Sequence, residues 1–546
     1  MSSTPLKVRL VQSNPVVGDV AGNVASMAQA VAQARCDRVG LILFPELAVS
    51  GYPPEDLVLR GDFLALCCDG IAHLAAQIPP DMTAVVGTPW PCREGLPYNA
   101  AVVLRGGEVV DLYAKRKLPN YGVFDEARVF QPGDQPVVIE VGGWQVGVTI
   151  CEDVWHNRGP ALDCVRAGAQ WIVNLNASPF HVDKWEERRA ILEERVAETG
   201  LPILYVNPVG GQDELVFDGG SCVLGGDGTL RALAPQFAEA QLDIEIAPDG
   251  TIIPRAPLAP IPEPTDRLIE ATVLGLRDYV GKTGFSKVVL GLSGGIDSAV
   301  VATLAVQALG AEQVTGLILP SPYTAAISIE DALALGSNLG IHTEIIPIEP
   351  AMATLSQSLG MLWPEPVGGT TAENIQARLR GLMVMAWSNR HSALALTTGN
   401  KSEVAVGYCT LYGDMAGAFN PIKDLWKTEV FAIAARLNHR LDGVIPKRII
   451  IRPPSAELRP DQKDEDSLPP YAVLDPILKR YVEQDMPPEA IIAEGFDHAT
   501  VHRIVRLVDI NEYKRRQAAP GVKVSRRAFG RDRRYPIAQR FLGGRN

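Results

Sequence analysis

The run Gly291-Leu292-Ser293-Gly294-Gly295-Ile296-Asp297-Ser298 is built to hold pyrophosphate. It follows the apolar residues Val288-Val289-Leu290 and opens a helix expected over Ala299 to Leu309. Two adjacent glycines let the backbone turn so that successive N–H groups converge on one anion. Ser293 and Ser298 add hydroxyl donors, and the helix N-terminus adds its positive dipole end. Asp297 would repel a phosphate unless a divalent metal ion sat between them, which argues against a plain polar turn. A competing motif, Gly281-Lys282-Thr283, looks like the end of a Walker A loop. It fails because position 276, where that motif needs its first glycine, is Leu276, and because the segment precedes the strand. Gly281 is expected instead to cap a helix from Asp266 to Val280.

A second set of reactive residues lies in the first half. Glu46 in Phe44-Pro45-Glu46-Leu47, Lys115 in Tyr113-Ala114-Lys115-Arg116 and Cys151 in Thr149-Ile150-Cys151-Glu152-Asp153 each sit where a strand ends or has just ended. That placement puts them on one edge of a sheet. A thiol attacks an amide carbonyl only as thiolate, so it needs a base for its proton and a cation for the developing oxyanion. Glu46 and Lys115 suit those roles. Singly each residue is weak, since a lone Cys at a strand end is more often a small buried hydrophobe; the combination changes the odds. In the second half, Ala395 to Glu403 reads as a short apolar strand ending in a polar turn. Glu403 would then reach the same strand-end crevice as Asp297, and two carboxylates facing phosphates make a Mg2+ site.

The elements that must carry these residues follow from short apolar runs: Leu6 to Gln12, Val39 to Phe44, Ala84 to Gly87, Ala100 to Leu104, Trp144 to Ile150, Trp171 to Asn176, Ile203 to Asn207 and Gly220 to Leu224. Helical segments such as Asn23 to Ala34 and Lys184 to Glu198 separate several of them, which predicts a layered α/β domain over residues 1–250. Prolines at 254, 257, 260, 262 and 264 mark residues 251–265 as a linker. Over residues 266–546 the order is helix, strand with phosphate turn, helix, strand Val314 to Leu319, helix Ser328 to Leu339 and strand His342 to Pro347. This spacing predicts a doubly wound parallel sheet that binds ligands at strand C-terminal ends. Pro460 to Ser467, with Asp461, Asp464, Glu465 and Asp466, has loop composition.

Bulk properties narrow the partners. With 546 residues the chain exceeds one core, and a net charge of -12 argues against nucleic acid or an anionic membrane surface. The last 46 residues run the other way, with 13 Lys and Arg against 3 Asp and Glu; they are either a solvated positive surface or, through Lys514, Lys523 and nearby arginines, a cover for a phosphate-rich substrate. No apolar stretch reaches the ~18 residues a membrane span needs, and no charged segment followed by an apolar core opens the chain, so a cytoplasmic location is expected. Eight scattered cysteines with no metal-like spacing fit reduced thiols.

Residues 5 to 250 resemble the nitrilase, or carbon–nitrogen hydrolase, superfamily, which uses a Glu-Lys-Cys triad on an α-β-β-α sandwich. The resemblance implies that Glu46 is the general base, Lys115 the oxyanion-stabilising cation and Cys151 the nucleophile. Leu118-Pro119-Asn120-Tyr121-Gly122-Val123-Phe124-Asp125-Glu126 and Asn174-Leu175-Asn176-Ala177-Ser178-Pro179-Phe180 are similar to the glutamine-holding segments of glutamine-dependent NAD+ synthetases, implying that Tyr121, Ser178 and Lys184 contact glutamine. Residues 268 to 535 resemble the ATP-pyrophosphatase family and its NAD+ synthetase branch, through Gly291 to Ser298, Glu373-Asn374-Ile375-Gln376-Ala377-Arg378, Thr397 to Glu403, Asn420 to Lys427, Pro453 to Leu458 and Tyr513-Lys514. By that likeness Gly291 to Ser298, Thr398, Lys427 and Ser455 contact ATP. Asn374, Arg378, Glu403 and Lys514 lie near deamido-NAD+, and Asp297 and Glu403 hold Mg2+. Two departures stand out: Leu411 replaces a substrate-side lysine of the shorter ammonia-dependent relatives, and a terminal His-Lys pair is here Tyr513-Lys514.

The expected function is ATP-dependent amidation of deamido-NAD+ with glutamine as nitrogen source. It proceeds through a thioester and an acyl-adenylate, and releases AMP, pyrophosphate and glutamate. The expected partners are small molecules (deamido-NAD+, ATP, glutamine or ammonia), with no nucleic acid and no membrane, and the chain is expected to form a homo-oligomer. Another carboxylate acceptor is the alternative within the same chemistry. A tRNA-modifying protein is the alternative of a different class; it would show a basic RNA-binding face and often paired cysteines, and the overall charge is acidic with no such pair.

Overall fold

Alternation of side chains along short strands decides the first half. Leu41 and Leu43 point into one apolar cluster while Ile42 and Phe44 point into another, and Val85 is opposed in the same way to Ala84 and Val86. A strand apolar on both faces must be covered on both. The computed structural model describes residues 5–541 except 364, 366, 460, 461 and 463, and divides at Pro262/Glu263 into two compact units. In the first unit a seven-stranded sheet runs in the order Ile252–Pro254, Ala240–Ile246, Leu6–Gln12, Leu41–Leu43, Thr83–Trp90, Tyr98–Arg105 and Glu108–Ala114. A six-stranded sheet runs Leu230–Leu233, Cys222–Leu224, Ile203–Val206, Trp171–Leu175, Trp144–Ile150 and Val137–Val141.

Both sheets share the core that contains Leu10, Val103, Val148 and Val173. Helices Val20–Cys36 and Gly61–Ala75 cover the outer face of the first sheet, and Pro160–Arg166 and Lys184–Thr199 that of the second. The layers are thus α-β-β-α. The central strands of each sheet pair in parallel, with these helices as crossovers, so their C-terminal ends emerge on one edge. Glu46, Cys151 and Ser178 follow three such ends.

In the second unit four parallel strands lie in the order His342–Ile345, Val314–Ile318, Val288–Gly291 and Leu394–Leu396. The chain moves outward from Val288–Gly291 in one direction and returns to its other side, which leaves a switch-point crevice between the ends of Val288–Gly291 and Leu394–Leu396. Helix Ile296–Leu309 buries nine of its fourteen residues, and helix Gly369–His391 packs Val384 against Val289, Leu317 and Ala395 on the sheet. A separate helical cluster joins Val404 to Val406, Leu474, Ile477, Ile504 and Phe529. Among the described residues no helix is long and apolar enough to cross a membrane, and all eight cysteines are free.

Several expectations need correction. Gly281 does not cap its helix: Pro264–Lys282 runs through it and ends at Thr283, with the positive φ falling on Gly284. Strand Ile252–Pro254 pairs at a sheet edge inside the proline-rich segment, where its unpaired side tolerates Pro254. Asp464–Asp466 forms a short 3-10 turn with Asp464 buried, whereas Pro460 and Asp461 of the same expected loop lie outside the described residues.

Candidate active sites

Lys115 is fully buried, and its ammonium donates to Glu46 Oε1 at 2.7 Å and to Glu126 Oε1 at 2.8 Å. Burial works against its charge, but the Glu126 and Glu46 carboxylates overcome it and hold the ammonium well above the usual lysine range. Asn99 Nδ2 donates to Glu46 Oε1 (2.7 Å), Ala177 N to Glu46 Oε2 (2.9 Å) and Tyr52 OH to Glu126 Oε1 (2.9 Å). Burial pushes the Glu126 carboxyl up despite Lys115.

Cys151 stands beside this group at the turn after Trp144–Ile150, with φ at +42°, a left-handed conformation uncommon for a residue with a Cβ. Burial, and then the Glu46 charge, push its thiol well up, so the resting sulfur is a thiol that must lose its proton on attack. Asp153 fixes the turn. Its carboxylate accepts from Ile150 N (2.9 Å), Tyr113 OH (2.7 Å) and Lys117 N (2.9 Å), which ties the Cys151 turn to the segment that carries Lys115.

The residues expected to hold glutamine surround this centre. Lys184 lies with its ammonium 4.0 Å from the Trp155 ring centre and donates to Glu187 Oε2 at 3.1 Å; burial lowers its pKa. Tyr121 is exposed and donates its hydroxyl to Glu152 Oε2 at 3.0 Å. Ser178 is buried, its N–H donating to Asn207 Oδ1 at 2.9 Å.

In the second unit the cradle closes on itself. Ser298 Oγ lies 3.1 Å from Ser293 Oγ, and Gly295 N donates to Ser293 Oγ at 3.2 Å. Gly294 has φ at +77°, and a Cβ there would stand 2.2 Å from the Ser328 carbonyl oxygen, so only glycine fits. The cradle opens into a cleft of about 310 Å3 lined by Gly291 to Asp297, the apolar Leu317 and Ile318, Thr398, Lys427 and Ser455. In its wall Lys427 donates to Asp297 Oδ2 (2.5 Å) and Glu403 Oε1 (3.1 Å), and the buried Asn400 Nδ2 to Asp297 Oδ1 (2.9 Å). Burial raises the Glu403 carboxyl to about 8 against the pull of Lys427, with Asp297 adding to the rise. Two crowded carboxylates of this kind suit a hard divalent cation. Among the described residues there is no cluster of three or more His, Cys, Asp or Glu that could hold a metal ion.

Comparison with known proteins places both halves. Residues 7–252 match the carbon-nitrogen hydrolase family and residues 268–518 the NAD synthase family. The glutamine-dependent NAD(+) synthetase of Xanthomonas campestris is 50% identical, covering 98% of both chains, and that of Thermotoga maritima is 43% identical, covering 98% of this chain and 99% of its own. This chain belongs to the glutamine-dependent NAD(+) synthetases. A solved member from Acinetobacter baumannii, in complex with adenosine diphosphate, is 40% identical with a TM-score of 0.79, covering 99% of this chain and 100% of its own. The expected two-part fold, a nitrilase-like sandwich followed by a doubly wound α/β unit, is the fold of this synthetase chain.

Within that synthetase frame the expected site residues fall into groups. Glu46, Lys115 and Cys151 come together, as do Asp297, Glu403 and Lys427. Ser298 points its hydroxyl into the cradle loop rather than the cleft, accepting from Ser293 N at 3.3 Å. Asn374, Arg378 and Lys514 do not line the cleft. Asn374 Oδ1 accepts from Thr410 Oγ1 (2.9 Å), Arg378 Nε donates to Leu411 O (3.2 Å), and Lys514 Nζ donates to Gly407 O (2.7 Å) and Cys409 O (2.8 Å), so all three grip residues 407–411. Lys523 is buried against Ser525 O (2.7 Å) and Asp532 (3.4 Å), not open to a substrate.

Glu403 belongs to helix Lys401–Val406 rather than to a polar turn: Asn400 caps it, and Asn-x-x-Glu is a capping-box signature that the sequence displays. Glu126, Asp153 and Asn99 went unread because a single Glu, Asp or Asn in a loop or strand carries no spacing signal. The same holds for the pair Ser328 and Glu457, where Ser328 Oγ donates to Glu457 Oε1 at 2.7 Å beside the cradle.

Proposed function

We propose that the chain makes NAD+ from deamido-NAD+ by joining two chemistries. In the first unit Glu46 takes the Cys151 proton as sulfur adds to the side-chain carbonyl of glutamine. Lys115 and the surrounding donors hold the oxyanion, and as the intermediate collapses Glu46 passes that proton to the nitrogen, which leaves as ammonia. Water that gives a proton to Glu46 then cleaves the thioester to release glutamate, and Glu46 returns this proton to the sulfur. Lys184 would pair with the glutamine carboxylate, and Ser178 and Tyr121 would add polar contacts. The burial of Lys115 with two carboxylates beside the Cys151 turn carries this half: a fixed cation there is preorganised for the negative charge that develops on the attacked carbonyl.

In the second unit the cradle from Gly291 to Ser298 would grip the β and γ phosphates of ATP while the nicotinate carboxylate attacks the α-phosphorus. Pyrophosphate leaves, and ammonia then displaces AMP from the acyl-adenylate to form the amide. Thr398, Lys427 and Ser455 would contact the nucleotide, and Asn374, Arg378, Glu403 and Lys514 would form the deamido-NAD+ side. Asp297 and Glu403 would hold Mg2+, which when bound supplies charge neutralisation for the departing pyrophosphate. Ammonia is mostly protonated near neutral pH, so release and use within one chain preserve its reactivity.

Product analysis tests the proposal. One AMP and one pyrophosphate are expected for each amide, with oxygen label from the substrate carboxylate recovered in AMP. ADP with orthophosphate, or unlabelled AMP, would overturn the adenylation step.

A further inference from the structure

The basic C-terminal tail continues past residue 518, where the match to the NAD synthase family ends, and its Lys523 is not open to a substrate. Part of it is interior: Val522, Lys523, Val524, Ser525 and Arg533 are buried. Arg533 lies among the rings of Tyr481, Phe529 and Tyr535, the last 3.6 Å from its guanidinium carbon. Ahead of this anchor the tail meets a buried pair of charges. Asp424 accepts from Val524 N (2.9 Å), Ser525 N (2.8 Å) and Ser525 Oγ (2.7 Å). Lys401 donates to Ser525 Oγ (2.6 Å), Glu483 Oε1 (2.7 Å) and Arg527 O (2.9 Å), and lies 2.8 Å from Asp424 Oδ1.

These two charges sit at the roots of the residues that face the nucleotide. Lys401 immediately follows Asn400, which holds Asp297, and lies in the same helical turn as Glu403. Asp424 stands three residues before Lys427, and the indole of the intervening Trp426 donates to the same Glu483 oxygen that Lys401 reaches (2.9 Å). Lys401 N also donates to Leu425 O at 2.8 Å. The two turns that present Asn400 and Glu403 on one side and Lys427 on the other are therefore cross-braced through Lys401, Asp424, Glu483 and Ser525.

We propose that residues 522–527 of the C-terminal arm are a positioning element of the adenylation site, acting through the Ser525 hydroxyl that joins Lys401 to Asp424. A serine hydroxyl can donate to the carboxylate while accepting from the ammonium; alanine can do neither, and both partners are too buried for water to replace it freely. The proposal rests on reading Asp297, Glu403 and Lys427 as the group that faces ATP.

The test compares Ser525→Ala, Ser525→Thr and Asp297→Asn in the full chain. Ser525→Ala should lower kcat for amide synthesis about tenfold with glutamine and with ammonium alike. It should raise the Mg2+ concentration for half-maximal rate and leave glutamate release measured without ATP unchanged, and Ser525→Thr should restore the loss. Wild-type kcat and Mg2+ dependence in Ser525→Ala with only a lower melting temperature would overturn the positioning role, as would a threonine variant no better than alanine. Asp297→Asn keeps the two readings apart. If it leaves the Mg2+ curve unchanged, the metal assignment fails while the kcat comparison still judges the arm. Should Ser525→Ala not fold, Lys523→Met decides: it loosens the arm from Asp532 but keeps the Ser525 hydroxyl. A lowered kcat supports the role, and wild-type kcat with a lower melting temperature overturns it.

Discussion

The two candidate sites solve opposite electrostatic problems. In the first unit Lys115 and Glu46 are fully buried, their charges closed into a network with Glu126, Asn99 and Tyr52. In the second unit Lys427 is buried as well, but Asp297 and Glu403 keep part of their side chains exposed, and all three line a cleft of about 310 Å3. A small neutral amide that reacts covalently gains most from a dry, fixed surround, in which each hydrogen bond is stronger than in water. A nucleotide polyanion needs room, and a lysine that can shift between its carboxylates and a phosphate. The proposed chemistries fit this difference: an enclosed site for one developing oxyanion, and a cleft for the several charges that arrive with a nucleotide.

The sharpest way to break this comparison is Cys151→Ala. Glutamine-supported synthesis is expected to fall by ~10^4 or more while ammonium-supported synthesis keeps its rate, as measured by NAD+ formation with each donor. Equal loss with both donors would mean that the two regions are not chemically separate. Next in size, Lys427→Met should lower synthesis with either donor by about 10^2-fold or more, since a cation that meets transferring phosphates acts in the step both donors share. Unimpaired glutamate release in the same variant would sharpen the contrast.

Asp153→Asn probes how rigidly the closed site is held. It keeps the shape but weakens the bonds to Ile150 N, Tyr113 OH and Lys117 N, so glutamine-supported kcat should drop about tenfold with little change in the KM for ammonium. A change confined to melting temperature would make Asp153 structural only.

The smallest effect concerns Glu187, which pairs with His181 and Lys184 at the partly solvated rim of the first site. The His181 hydrogen bond, against burial and with help from Lys184, holds its carboxyl down at about 2. A depressed carboxylate stabilises the fold above its unfolded pKa of about 4.5 and loses that contribution as pH falls toward 2. Wild type should therefore outlast Glu187→Gln in urea near pH 6, with the gap narrowing below about pH 4. A gap independent of pH would remove the ion pair from the account.

How much of this was readable beforehand depends on whether a residue's signal is local. The glycine-rich turn was readable because glycine and serine spacing over eight residues dictates it, and Gly294 has no alternative with Ser328 against it. Strands such as Leu6–Gln12 and Trp144–Ile150 were readable from their apolar runs. Strands Val209–Gln212 and Leu215–Asp218 were not, since each is only 4 residues long and they form a two-stranded ribbon. The proline-rich stretch reads as linker, yet it includes a paired edge strand, because an edge needs hydrogen bonds on one side only.

By itself the sequence determined the two-part architecture, the glycine-rich turn, the placement of Glu46, Lys115 and Cys151 after strand ends, and the membership that the relatives share across the whole chain. Only the tertiary structure decided that Lys115 serves two carboxylates, that Asp153 ties the thiol's turn to the lysine's segment, and that part of a basic tail, read as either a solvated surface or a substrate cover, packs Val524 and Ser525 against Asp424. The physical reason is range. Backbone turns and strand periodicity are written in neighbouring residues. The partners of a buried charge come from segments as far apart as the 124 positions between Lys401 and Ser525, and no local pattern encodes that meeting.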